Sequence, residues 1–285
     1  MRITLVQHLI TIGALAFSAV FSAHAKTPVL TPDKSGYHLF NPTPADQMRE
    51  MSTDRPDTTE SPYTVDAGHY QLELSFFDYR QDREGSLRNE SWAFGLVNFK
   101  LGLSNKTDLQ FVFNSYAEDK SQDGDITDRA SGFSDLLLRV KTNLWGNDGG
   151  TTALALMPYV KIPTDTGISN GDWEGGLIVP LGIAVNDRVS VGLMAVGGYV
   201  RDEESGDSGF EWLHSATIGI ELTELLGMYV EFAGLAGAAT DYQAFFNTGL
   251  TFSMIDNLVF DSGVRIGLND AAEDFGVFTG MSVRF

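Results

Sequence analysis

Residues 258–267 read LVFDSGVRIG and residues 97–103 read VNFKLGL, and these two stretches decide the fold class. In the first, Leu258, Phe260, Val264 and Ile266 share one face of an extended chain, opposite Asp261, Gly263, Arg265 and Gly267. In the second, Val97, Phe99, Leu101 and Leu103 oppose Asn98 and Lys100. Successive strand side chains point to opposite faces, so each stretch has one greasy side and one side of charge and glycine. Strands of a soluble sandwich run to about 5–6 residues and turn the greasy side inward. Segments of about ten residues or more match a tilted bilayer crossing instead. A cylinder with hydrocarbon outside and water or packed polar side chains inside satisfies both faces at once.

The same texture repeats in twelve segments from residue 68 to the end. Short spacers at 104–106, 147–150, 186–187, 224–225 and 256 alternate with mostly longer polar ones at 81–90, 118–131, 164–172 and 202–209, with shorter members at 240–242 and 269–273. Tight turns at one end and long loops at the other mark an outer-membrane barrel. The fold expected is all-β: an antiparallel up-and-down transmembrane β-barrel of about 12 strands, even-numbered because both chain ends lie on the short-turn side. Trp92, Trp173 and Trp212 fall at loop-side strand ends and Trp145 at a turn-side end. Indole rings favour the headgroup layer, so these four read as parts of aromatic girdles.

Composition removes other classes. Lys+Arg total 19 against 38 Asp+Glu, a net charge of −19 that a phosphate backbone repels, so no nucleic-acid partner is expected. A hydrophobic content of 43% with 30 Gly and 19 Phe is too rich for a disordered acidic chain. A mean hydropathy of −0.07 argues against a bundle of membrane-spanning helices. With no cysteine there is no disulfide framework, zinc-thiolate site or thiol nucleophile.

Residues 1–25 carry Arg2, an apolar run from Leu9 to Phe21, and the small-x-small ending Ala23-His24-Ala25. That pattern is a signal peptide, and it sends the chain out of the cytoplasm. Residues 26–66 hold Pro28, Pro32, Pro42, Pro44, Pro56 and Pro62. Proline lacks a ladder donor, so this stretch is an extended lead-in to the barrel at 67–285. Phe285 closes the chain with Val283 and Met281 on its face, opposite Arg284 and Ser282. A terminal aromatic on an alternating last strand resembles the signal read by the outer-membrane barrel assembly machinery, an expected partner beside membrane lipid and lipopolysaccharide.

The run Thr53-Asp54-Arg55-Pro56-Asp57, then Thr59-Glu60-Ser61-Pro62-Tyr63, then Gly68-His69-Tyr70-Gln71-Leu72-Glu73 resembles the opening of one bacterial family. That family is labelled Putative MetA-pathway of phenol degradation, and the likeness extends from about residue 50 to the end. The resemblance implies an exported outer-membrane barrel that passes small, often aromatic, molecules. Within the motif, Arg55 between Asp54 and Asp57 admits two readings. The three fold into the lumen as a small plug paired with wall charges, or they lie on the turn side and seal the first strand.

Strand parity directs Asp135, Arg139, Lys141, Lys161, Asp261 and Arg265 inward, with Phe77, Tyr159 and Tyr229. Charges of both signs beside aromatic surface suit either a wet wall for a slightly soluble apolar solute or the filling of a closed barrel. Lys161, Arg139 and Lys141 near Tyr159 are the expected holders of an acidic aromatic. The function expected is a passive channel for small aromatic or amphipathic solutes; the alternative is a closed structural or surface-interaction barrel. No catalytic residue is assigned: His214 and Ser215 are adjacent, so their side chains diverge. Asp123, Asp125 and Asp128 form only a partial calcium-loop pattern, and no metal or cofactor is expected.

Overall fold

The computed structural model describes residues 32–201, 208–237 and 241–285. The expected leader at 1–25 lies outside them, as do most of the 202–209 spacer and the first part of the lead-in. Thirteen strands form one antiparallel sheet. They are β1 Tyr70–Glu84, β2 Leu87–Ser104, β3 Thr107–Asp123, β4 Ile126–Gly132, β5 Leu136–Trp145, β6 Thr152–Ile162, β7 Glu174–Ala184, β8 Val189–Arg201, β9 Ser208–Glu221, β10 Leu226–Ala236, β11 Gln243–Ile255, β12 Leu258–Gly267 and β13 Phe275–Arg284. Each pairs with its chain neighbour except that β4 and β5 both pair with β3; β1 pairs with β13, and the β2–β3 pairing closes the ring.

The wall is a 12-strand cylinder with one extra strand. β4 and β5 together run antiparallel to β3, from Ala117↔Gly132 down to Thr107↔Thr142. Across the break, the Ser134 N–H donates to the Asn114 carbonyl at 3.1 Å. The stretches 81–90 and 118–131 are therefore not loops. They are hairpin arms that carry β1 to β4 past the rim, turning at Gly85 and Gly124 with φ of +61° and +57°. Polar residues on both faces make these arms unfit for hydrocarbon, while ladder hydrogen bonds hold them as ribbon in water, and glycine supplies the turn.

Burial is inverted relative to a soluble protein. Outward Leu250 and Ile218 are 47% and 43% exposed, whereas inward Lys141 and Glu73 are both 0%. Aliphatic side chains thus look away from the axis and charged ones toward it, as the alternation of 97–103 and 258–267 requires. One expectation fails. Phe77 points outward, stacked obliquely on Trp92 and Phe94, because β1 carries a bulge between Ser75 and Phe77 and β2 answers with Gly95 at φ +61°. A bulge adds one residue and reverses the alternation beyond it, so Asp78 faces the lumen instead, and Tyr79 also turns outward against Trp92.

At the β1–β13 seam, Met281 and Val283 face out while Ser282 and Arg284 are buried inside. The ring of Phe285 stacks on Tyr70 at 5.1 Å on the outer surface. Trp145, Trp173 and Trp212 are exposed on the outer side, in keeping with girdle positions.

Candidate functional site

The lumen is built from two different materials. Near the short-turn end, residues 32–50 lie across the mouth: the Leu39 N–H donates to the Leu103 carbonyl and the Thr43 N–H to that of Ala67. Residues 52–66 then turn inside the cylinder. They fit because the wall is bare where they pass: a Cβ on Gly102 would collide with the Asp66 carbonyl, and one on Gly280 with the Arg55 guanidinium.

Ion pairs pin this inner segment at several heights. Asp54 accepts from Lys100 and Lys141 at 2.5 and 2.6 Å, and Lys100 also meets Glu73. Arg55 forks onto Asp261, Nη2 at 2.7 Å and Nε at 3.1 Å. The amides of Thr58 and Thr59 both donate to Glu231 at 2.8 Å, and Asn247 donates to the same carboxylate at 2.6 Å. Glu60 pairs with Arg139, whose other nitrogen reaches Gln110. At the bottom, Lys34, Arg49 and Arg284 surround Asp66. Buried charges require such partners, and forked or amide-held carboxylates are the strongest of these contacts. Burial opposes ionisation of Asp54, but Lys100, Lys141 and Arg139 outweigh it and hold its carboxyl well below the ordinary range. Asp57 behaves in the opposite sense: burial, then Glu231, pushes its carboxyl up while Thr217 hydrogen-bonds it.

The cations expected to hold an acidic aromatic are therefore committed elsewhere. Arg139 and Lys141 belong to Glu60 and Asp54, and Lys161 is shared by Asp135 and Glu174 at 3.3 and 2.9 Å. Arg265 forks onto Asp78 at 2.7 and 2.9 Å and lies over the Phe278 ring. Arg139 is the direct cross-strand partner of Tyr159, but with all three cations held in ion pairs the four residues form no free anion pocket. Tyr229 is buried, its ring lying close to Gly249 and Gly263.

Above the inner segment the wall becomes apolar. Met157, Ile178, Val196, Leu213 and Leu235 are consecutive cross-strand partners from β6 to β10, all directed inward. The next row toward the loops is Tyr159, Gly176, Gly198 and Glu211. The Tyr159 ring lies over both glycines, with its hydroxyl above Gly198. Met157, Ile178 and Met194 are fully covered, while Tyr159, Val196 and Leu213 remain half-buried. Beneath, the Glu60 N–H approaches the Met194 sulfur at 3.3 Å, so the inner segment forms the floor of this shelf.

A family model matches residues 53–285, described as Putative MetA-pathway of phenol degradation. The chain belongs to that family. Its matched span takes in every strand and the inner segment from Thr53 onward. No curated protein matches the chain. Among solved structures, an outer membrane channel from Pseudomonas putida F1 aligns with a TM-score of 0.59 at 12% identity, over 82% of this chain and 100% of that one. A toluene transporter from Ralstonia pickettii aligns with a TM-score of 0.40 at 9% identity, over 76% and 88%. The first of these likenesses shows the barrel fold.

The family's opening motif is thus the pinning segment. Thr58, Thr59 and Glu60 are site residues that sequence reasoning missed, because nothing local announces that two consecutive amides will face a carboxylate on β10. Glu211 was also missed; its odd number on β9, shared with buried Ser215 and Thr217, was the available signal. Ser215 hydrogen-bonds Thr59 in the lumen at 2.7 Å, whereas His214 faces outward and contacts Tyr242, so the two form no catalytic pair. Among the described residues no cluster of metal-ligating side chains occurs.

Proposed function

We propose that this chain is an outer-membrane channel for passive passage of small aromatic or amphipathic solutes, and that its lead-in is a resident plug. The observation that carries the reading is the division of the lumen: a half-buried apolar shelf on the loop side stands on a floor of ion-paired inner segment. A solute of modest solubility partitions onto the shelf by the hydrophobic effect and diffuses onward when the segment yields. Nothing in the pathway consumes energy. The leader at 1–25 delivers the chain for export, the Met281, Val283 and Phe285 face is presented to the barrel assembly machinery, and the outer girdles sit among lipid and lipopolysaccharide. The family's association with phenol degradation supports an aromatic cargo.

Conductance of refolded protein in planar bilayers tests this. Wild type should show small steps and Arg55→Ala larger ones, since the substitution frees the segment from Asp261. A closed structural barrel is the second reading, favoured by the density of pins between the segment and the wall. Silence from both proteins, with liposomes impermeable to 2-phenylethanol, would establish it and overturn the channel.

A further inference from the structure

We propose that the shelf formed by Tyr159, Val196, Leu213 and Glu211 binds a small organic ammonium ion with a flat apolar body, such as a protonated arylalkylamine. This deepens the channel reading and rests on it only for how the solute arrives. Gly198 is the direct cross-strand partner of Glu211, and the Tyr159 hydroxyl lies above Gly198, so ring and carboxylate border the same patch of wall. The apolar row containing Val196 and Leu213 runs immediately beneath. Glu211 faces inward, half-buried, and has no hydrogen bond or ion pair among the described residues.

Local charge selects the class of guest. Lys161, one residue pair above Tyr159 on the same inward face, is already shared by Asp135 and Glu174. Arg139, the direct cross-strand partner of Tyr159, is held by Glu60, and Arg201 by Asp172 at 3.1 Å. Glu174 is the next inward residue above Gly176, in whose cross-strand row Glu211 stands. Three carboxylates, Asp135, Glu174 and Glu211, thus face one lysine. An acidic aromatic finds no uncommitted cation there, and a neutral alcohol gains only ring contact and one hydrogen bond. An ammonium gains the Tyr159 face, a charge-assisted hydrogen bond to Glu211 and relief of the surplus negative charge.

The test is calorimetric titration of full-length protein in detergent with 2-phenylethylammonium, 2-phenylethanol and 3-phenylpropionate, which share a ring and differ in charge. The ammonium should bind at least about tenfold more tightly than the alcohol, the scale of one charged hydrogen bond, and the acid weakest. Glu211→Gln should bring the ammonium down to the level of the alcohol while leaving the alcohol unchanged. Tyr159→Ala should weaken both. Heat-modifiable migration in gels verifies that each variant is folded. Equal affinity for all three probes, or ammonium binding indifferent to Glu211→Gln, overturns the proposal. In bilayers, the ammonium should block wild type and not Glu211→Gln. Ammonium binding by a protein that never conducts sinks the channel and keeps this site; conduction with preference for alcohol or acid does the reverse.

Discussion

The two halves of the lumen share one wall and handle burial in opposite ways. Toward the short turns, the interior is a salt-bridged solid: Lys100, Lys141, Glu73 and Asp54 are closed off from solvent and fix the inner segment by charge. Toward the loops, Tyr159, Val196 and Leu213 stay half-buried and hold nothing in place. Electrostatic partners that are fully desolvated position chain; apolar surface left half wet recruits small molecules. The difference teaches that closure and recognition are separable properties of this cylinder, each removable without the other.

Lys100→Met should break the comparison most severely. It leaves Glu73 buried without its cation and Asp54 with Lys141 alone, and a loss of about 3–5 kcal/mol in urea unfolding is expected. Arg55→Ala should cost less, about 1–3 kcal/mol, while raising bilayer conductance, because Asp261 keeps less of its satisfaction but the cylinder stays intact. Leu213→Ala sharpens the contrast from the other side. Its stability cost should stay near 1 kcal/mol, since the side chain is half exposed, while partitioning of 2-phenylethanol falls. Glu273→Gln, at the exposed Arg80 pair on the loop side, should change stability by less than about 0.5 kcal/mol in urea unfolding.

A pH series tests the pinned half in a different way. Asp54 has its folded value depressed, so its contribution is present in full above the ordinary aspartate range of about 3.9 and is lost only as pH falls through that depressed value. The Asp54 contacts to Lys100 and Lys141 should therefore survive mild acidification, whereas Glu60, whose carboxyl burial pushes up to about 7, loses its charge and its hold on Arg139. In Glu60→Gln, conductance at pH 4.5 should equal that at pH 7, and a rise would show that Asp54 does not anchor the segment.

How much of this was legible varied with the distance over which each fact is encoded. Period-two alternation is local, so Leu258 to Gly267 and Val97 to Leu103 revealed inward and outward faces directly. Phe77 was misread because parity assumes a regular strand, and the paired irregularities at Phe76 and Gly95 leave no mark in hydrophobicity. The hairpin arms past the rim were misread as loops because polar residues on both faces look alike in ribbon and coil. Pairings were illegible altogether: Arg55 and Asp261 stand 206 positions apart, and inward lysines look the same whether bare or matched. The lumen's charge inventory could be written from parity, but not which of those charges had already been spoken for.

The partners of residues 52–66 have a temporal meaning. Glu73 lies on β1, Lys100 on β2, Lys141 on β5, Glu231 on β10 and Asp261 on β12, while Arg284, which donates to the Arg49 carbonyl at 2.8 Å, ends β13. No partly assembled sheet presents that set. The stretch that leaves the ribosome early can settle only after the last strand has zipped to the first, so its docking reports a finished cylinder.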